Sequence, residues 1–445
     1  MQFADSYQSM VIAISAFEQI NEGMNIMGDN IDISVLCITY NHEDYIERAL
    51  EGFLSQRGDF TYEIIVHDDA STDNTPEILK RYREMYPDKI RLILQKENQF
   101  SKKKDVTKIF CLPEARGKYC AFCEGDDEWI CADKLQKQFE WMEAHPDTRL
   151  CLHNAIRVDN RTGERKLQVA GLETGFLTES EIFLCEHGSM PSASFFFRKE
   201  EMQNLPDYCD RAPVGDDPFR YCCAMNGEIY YINEAWSIWN YMHEGSWNKR
   251  VKNDVAFYYD YAERYIRFLY EFNRDSNKRF DNYIIKVLKR VLTSWAARKI
   301  EQGLTCEEFE SFIKQKSKEY DLEYETTLEE MKLKLLFGCV GYDDILQKFL
   351  EPAKHENGRI YIYGAGKVAG RYAEKLKKIE QSFDGFVVSK KNVKEQAYVG
   401  YPVWELEELS EKKDNIYFIL GMNVENKKEV IPILKQFGYK NVLIY

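Results

Sequence analysis

The chain has 445 residues, 44% hydrophobic and 14% aromatic, enough for two or three domains with real cores. A net charge of −14 at pH 7 excludes non-specific nucleic-acid binding, which runs on clustered Lys and Arg. Twelve cysteines without regular spacing exclude a disulfide framework or a zinc finger, and no apolar run approaches the roughly 18 residues of a membrane span.

Residues 1–30 form an N-terminal extension. Its short apolar patch (Met10 to Phe17) lacks a basic flank, so it does not read as a signal peptide, and Met27 is an alternative start. IDISVLCIT (31–39) reads as a strand ending in Tyr40-Asn41-His42. A helix follows, with Tyr45, Ile46, Ala49, Leu50 and Phe53 on one face. Tyr62 to Val66 is a second strand, running into His67-Asp68-Asp69-Ala70-Ser71. Pro76 then sits where a first helical turn tolerates it, in a helix to Tyr86. Strand Ile90 to Leu94, helix Val106 to Ala115, strand Tyr119 to Cys123, helix Asp133 to Ala144 and strand Leu150 to His153 continue the alternation. Such alternation implies a mostly parallel sheet covered on both faces, with ligands beyond the carboxyl ends of the strands.

The fourth strand is the informative one. YCAFCEGDDEW (119–129) ends in Glu124, Gly125, Asp126 and Asp127. Three carboxylates so close repel one another unless a cation or hydrogen-bond donors hold them. Oxygen ligands suit Mg2+ or Mn2+. The alternative is a solvated acidic loop. Cys120 and Cys123 form a CxxC, but in a strand that spacing sends them to opposite faces, as buried thiols of a reducing cytoplasm.

Residues 155–247 are less regular and contain MPSASFFFRK (190–199), GDDPFRY (215–221) and YMHEGSW (241–247). Residues 248–353 look helical. Ile284, Leu288, Val291, Leu292 and Trp295 share one face of a basic amphipathic segment; core packing is the favoured account, membrane-surface contact the lesser one. After a boundary at 351–358, strand Arg359 to Tyr363, the loop GAGKVAG (364–370), and strands Phe386 to Val388, Ile416 to Leu420 and Val442 to Ile444 make a small α/β unit. Gly364, Gly366 and Gly370 fit a dinucleotide-binding loop. That fingerprint wants an acidic residue after the second strand, and here Ser389-Lys390-Lys391 follows.

ISVLCITYNHEDYIERAL, EIIVHDDASTDNT, EGDDEW with KLQKQ, and GDDPF followed by YMHEGSW occur in the order of one family. Together, over residues 31–247, the chain resembles an inverting family 2 glycosyltransferase of the GT-A fold. The resemblance implies a GT-A domain over 31–250; the residues beyond it read as a helical region over 251–353 and a Rossmann-like domain over 358–445. It implies a UDP-sugar donor, and a glycan, lipid-linked or glycoprotein acceptor in surface polysaccharide synthesis. It implies Mn2+ or Mg2+ as cofactor and a cytoplasmic site of action, at the inner face of the membrane if peripheral. Oligomeric state stays open. Thr39, Tyr40 and Asn41 match the base and ribose cradle, and Asp69 the uracil acceptor. Asp68 is either a donor ligand or a helix cap. Asp126, with Asp127 and His243, matches the metal site, and Glu124, standing for the family's first Asp, the ribose side. Asp216 matches the catalytic base with Asp217 as the fallback. Trp129 and Trp247 are candidate acceptor platforms, with core packing the alternative. The rival reading centres function on the C-terminal module as an NAD(P)-type binding protein.

Overall fold

The structure, a computed structural model, describes residues 31–443 apart from 104, 305, 325–326, 329–330, 332–345, 347–349, 354–357, 390–396, 410–414 and 423. The chain divides into two compact units, residues 1–287 and 288–445. The helix Val255–Asp275 lies in the first.

Among the described residues the first unit holds ten strands: β1 Ile33–Thr39, β2 Tyr62–Asp68, β3 Ile90–Leu94, β4 Tyr119–Glu124, β5 Glu128–Trp129, β6 Thr148–Asp159, β7 Arg165–Leu167, β8 Gly175–Phe176, β9 Phe196–Arg198 and β10 Glu228–Tyr241. Their order is β3-β2-β1-β4-β9-β6-β10-β5, with β7 on β6 and β8 on β10. β1 to β4 pair in parallel, as do β6 and β10; β9 runs antiparallel between β4 and β6. This is the mostly parallel sheet of an α/β fold that the alternation of strands and helices predicts.

The central strands are apolar almost throughout because both faces are covered. Helices α1 Ile46–Leu54, α2 Thr75–Met85 and α3 Lys134–Ala144 follow β1, β2 and β5. Ile46, Ala49, Leu50 and Phe53 of α1 are fully buried in one core cluster with Val35, Cys37, Ile64, Val66, Tyr119 and Cys123. Each Ile, Leu, Val or Phe side chain among them contributes about 1.5–3 kcal/mol on burial. Cys120 and Cys123 are both buried and unbridged, and burial pushes the Cys120 thiol up to about 12.

Two expectations need correction. The helix expected over Val106–Ala115 is a π-helical turn at Thr107–Cys111 followed by a 3-10 turn at Leu112–Glu114. Pro113 has no N–H to donate there, which stops a regular α-helix. The region that looked irregular hides the longest parallel pair, β6 with β10. Its register shifts around Ala235 break the period-2 pattern that marks a strand in sequence. Three further helices complete the surroundings of the site: α4 Asp216–Asn226, α5 Trp247–Asn253 and α6 Val255–Asp275.

A helix spans Asp281–Glu301. Ile284, Leu288, Leu292 and Trp295 on it are at most 4% exposed. That apolar face is taken up inside the protein and is not free to lie on a membrane. Among the described residues no helix is long and apolar enough to cross one.

In the second unit β11 Arg359–Tyr363, β12 Gly385–Val388, β13 Ala397–Tyr398, β14 Tyr401–Glu405, β15 Ile416–Leu420 and β16 Asn441–Leu443 form a sheet ordered β13-β14-β12-β11-β15-β16. All pairs are parallel except β13 with β14. The β13–β14 hairpin was not anticipated. Residues 1–30, Lys390, Lys391 and Ile444 of the expectations above lie outside the described residues.

Candidate active site

Register sets the rim. Thr39 pairs with Asp68, and Ile38 with Glu124, so β1, β2 and β4 end together. Three non-glycine residues just beyond strand ends hold left-handed backbone: Asn41 (φ 56°), Ala70 (φ 65°) and Met242 (φ 64°). Such strain gathers where a fold over-determines a functional turn.

The acidic loop packs hard against β1. Gly125 N–H donates to the Ile38 carbonyl at 2.9 Å. A Cβ on Gly125 would meet Thr39 Oγ1 at 2.7 Å and Thr39 Cβ at 2.8 Å. Only a glycine lets the loop turn this close. The loop is then clamped from β10. Asn240 N–H donates to Asp127 Oδ1 at 3.1 Å, and Asn240 Nδ2 to the Asp126 carbonyl at 2.7 Å.

These contacts separate the carboxylates. Asp127 is 3% exposed, and burial together with Asp126 and Glu124 pushes its carboxyl well up. It braces the loop from beneath. Burial, Asp126 and Asp216 push Glu124 up to about 8, opposed by the Ser192 hydroxyl donating to Glu124 Oε2 at 2.5 Å. Burial acts upward on Asp126 too, but His42 and His243 outweigh it and hold that carboxyl below its usual value. Asp126 is the carboxylate that stays ionised.

Asp126 Oδ2 lies 2.8 Å from His243 Nε2 and 3.8 Å from His42 Nε2. His243 Nδ1 lies 2.6 Å from the Glu244 carbonyl oxygen, and His42 Nδ1 3.1 Å from Thr39 Oγ1. One ligand atom from each of His42, Asp126 and His243 falls within 4.8 Å of the others. Burial lowers the His42 pKa and Asp126 opposes it; for His243 burial is outweighed by Asp126, and the shift is upward. These three groups could together hold a metal ion, whereas Asp127 is turned to Asn240.

Asp216 opens α4, exposed to solvent. Its carboxyl is held only by the backbone N–H groups at the start of the helix, its own and that of Asp217. The protein mass around it, and then Asp217, push its carboxyl up to about 6 despite Arg220. It also raises Glu124, so the two carboxyls lie within electrostatic reach of one another. Asp217 is engaged: Arg220 Nη2 pairs with its Oδ1, and Tyr265 of α6 donates to its Oδ2 at 2.5 Å.

On the strand-end turns, Tyr40 is 43% exposed. Asn41 Oδ1 accepts from Thr72 N–H at 2.7 Å and Asn41 N–H donates to Ser71 Oγ at 2.8 Å, joining the two turns. Asp68 accepts from the Ser71 hydroxyl at 2.5 Å and its N–H at 3.1 Å. Both Asp69 oxygens accept backbone N–H groups, from Gln99 at 2.7 Å and Phe100 at 2.9 Å.

The two tryptophans part company. Trp129 is 2% exposed, stacks edge-on against Phe53 at 4.7 Å, and donates through Nε1 to the Ala193 carbonyl at 2.9 Å. A ring so enclosed cannot receive an acceptor sugar, so the platform expectation fails for Trp129. Trp247 begins α5, half-buried, edge-on to Tyr261 at 5.2 Å.

In the second unit Gly364 takes φ 114° and donates to the Val387 carbonyl at 2.7 Å, Gly366 precedes the helix Lys367–Lys378, and Gly370 sits beneath Tyr398. Ser389, not an acidic residue, follows β12.

His42, Ser192, Asn240 and Tyr265 were not singled out in sequence. His42 follows the Tyr40-Asn41 turn directly, and a histidine at a strand's carboxyl end is a ligand signal. Asn240 and Tyr265 carried no sequence signal.

A model for the family described as Glycosyl transferase family 2 matches residues 34–203. An uncharacterized protein of Mycobacterium tuberculosis is 33% identical over 228 residues, 51% of this chain and 63% of that protein. A UDP-Glc:alpha-D-GlcNAc-diphosphoundecaprenol beta-1,3-glucosyltransferase of Escherichia coli is 34% identical over 114 residues, 25% of this chain and 41% of that protein. The chain thus spans less than two thirds of the length of these relatives. The structure of Staphylococcus aureus TarS 1-349 in complex with UDP-GlcNAc is 17% identical, with 79% of this chain and 93% of that chain covered at a TM-score of 0.45.

Proposed function

We propose, from the match of residues 34–203 to the Glycosyl transferase family 2 model, that the chain is an inverting glycosyltransferase of surface polysaccharide synthesis. It moves a sugar from a UDP-sugar to a glycan, lipid-linked glycan or glycoprotein. One observation carries this reading: beyond the strand ends Asp126, its carboxyl held low, lies between two histidines, and Asp216, whose carboxyl is raised to about 6, is close enough to act on Glu124 of the same acidic loop. Two carboxylates pushed apart in pKa suit two roles. The E. coli relative, whose name carries UDP-Glc and a diphosphate-linked lipid, supports the donor and one acceptor class.

Asp126 and His243 would hold a divalent cation, Mn2+ or Mg2+, which would supply charge to neutralise the donor diphosphate and favour departure of the nucleotide. Tyr40 and Asn41 flank the base. Asp69, whose oxygens retain lone pairs beside the Gln99 and Phe100 N–H groups, accepts from uracil N3–H. Asp68 holds the turn that carries it, with Thr39 beneath. Glu124, steadied by Ser192, faces the ribose and sugar hydroxyls. Asp216 removes the proton from the acceptor hydroxyl as that oxygen attacks the anomeric carbon. Asp217, tied to Arg220 and Tyr265, fixes the first turn of α4 and so the position of Asp216. Trp247 and Tyr261 line the acceptor side.

Calorimetry with UDP tests the reading: binding should require Mn2+ or Mg2+ and vanish with EDTA. Unchanged affinity in EDTA, with no hydrolysis across a panel of nucleotide sugars, would sink it. The C-terminal module serves docking or regulation, since Ser389 rather than an acidic residue directly follows β12. NAD(P)-dependent thermal stabilisation of the chain, with none from UDP and Mn2+, would favour the rival nucleotide-binding reading.

A further inference from the structure

His42 and His243 present matching faces to one carboxylate oxygen. Each directs Nε2 at Asp126 Oδ2, from 3.8 Å and 2.8 Å. Each has Nδ1 anchored, on Thr39 Oγ1 at 3.1 Å and on the Glu244 carbonyl oxygen at 2.6 Å. A backbone carbonyl only accepts, so His243 Nδ1 carries a proton and Nε2 is its ligand atom. Metal-bound histidines are characteristically oriented this way, by a hydrogen bond at the other nitrogen. The side chains are enclosed, 14% exposed for His42 and 3% for His243. Ligand atoms about 2.0–2.2 Å from one ion stand roughly 3 Å apart when adjacent. Three atoms within 4.8 Å need only a small closure to reach that.

We propose that His42 is a third protein ligand, and that two imidazoles with one carboxylate make the site select Mn2+ or Co2+ over Mg2+ and bind it before the nucleotide. The proposal rests on Asp126 and His243 as cation ligands and goes beyond that reading in naming His42 and the cation class. Mg2+ keeps its waters and binds through one or two carboxylates plus substrate phosphates, whereas imidazole suits first-row transition metals. A carboxylate pair such as Asp126–Asp127 would not discriminate in this way, but Asp127 is turned to Asn240. His42 also couples the ion to the nucleotide turn. Its N–H donates to Thr75 Oγ1 at 2.9 Å and its ring rests on Thr39, so a bound ion would stiffen the turn that flanks the base.

The full chain, stripped of metal, is titrated with MnCl2, CoCl2 and MgCl2 in the absence of nucleotide. Mn2+ is read by electron paramagnetic resonance, Co2+ by its visible absorption, and Mg2+ by competition with Mn2+. Wild type, His42→Gln, His42→Ala and Asp126→Asn are compared, with circular dichroism and melting as checks on folding. One Mn2+ or Co2+ per chain is expected, with Mg2+ on the order of a hundredfold weaker. His42→Gln should weaken Mn2+ at least about tenfold and alter the Co2+ spectrum. Mg2+ competing on equal terms, or a folded His42→Gln chain binding Mn2+ like wild type, overturns the proposal. If Asp126→Asn alone abolishes binding, the proposal fails while the glycosyltransferase reading stands. If no variant changes binding, the cation role of Asp126 falls as well.

Discussion

His243 Nε2 lies 2.8 Å from Asp126 Oδ2 across 117 residues of sequence. β10 carries one partner and β4 the other, and Asn240 on β10 clamps the loop between them. Asp126→Asn keeps the shape but removes the charge that opposes a cation. UDP affinity in Mn2+ should fall at least about tenfold, with the melting temperature little changed. Calorimetry that shows equal affinity for both proteins contradicts the assignment.

Asp216→Asn should lower transfer about a thousandfold, the usual range for a lost general base. Asp217→Asn should act through stability instead, because Arg220 is 2% exposed and would lose its charged partner. Steady-state rates and urea denaturation on both variants separate the two. Near-normal turnover by Asp216→Asn would move the base elsewhere.

The pH profile follows from the same group. A base must be deprotonated, and the Asp216 carboxyl is raised to about 6. kcat/KM for transfer should therefore fall about tenfold per pH unit below that value and level off above it. A profile flat down to pH ~4 would show that Asp216 does not titrate in the rate.

Glu124 predicts a stability slope. Its folded carboxyl is raised to about 8 from an ordinary 4.5, so the folded state holds a proton that the unfolded chain gives up. The stability this adds is full below 4.5 and is lost as pH rises through about 8. The metal-free protein should melt at progressively lower temperature across that window. Glu124→Gln should flatten the slope. An unaltered slope would mean that other groups carry it.

Gly125→Ala forces a methyl to within 2.7 Å of Thr39 Oγ1. Overpacking of this kind costs about 1–3 kcal/mol, and here it displaces Asp126 as well. Both urea stability and UDP affinity should drop. Loss of stability alone would show that the loop relaxes without moving the carboxylate.

Trp129→Phe should cost about 1–3 kcal/mol through the Nε1 bond to Ala193 and lost packing. The acceptor KM should not change, because the ring is enclosed. A raised KM with unchanged stability would restore Trp129 to the acceptor side.

Much of this protein is legible along the chain. The apolar runs at 33–39, 62–68 and 119–124 could only be strands covered on both faces, and the helices between them made the pairing parallel. Parallel strands bring their carboxyl ends to one edge, so Asn41, Asp69 and Glu124 had to meet there. The second unit's β11, β12, β15 and β16 follow from the same pattern. The β6–β10 pair escaped notice because register shifts erase its alternation.

Local pattern has no term for which carboxylate loses its freedom, since that depends on groups distant in sequence. Asn240, 113 residues away, turns Asp127 inward. Tyr265, 48 residues away, engages Asp217 and leaves Asp216 open. Phe53 and Ala193 enclose Trp129. His42 becomes a ligand candidate only because β10 brings His243 to the same oxygen. The sequence determined that an acidic cluster stands at the sheet's edge. Tertiary packing decided which of its members remain free to do chemistry, because desolvation and partners are set by neighbours in space.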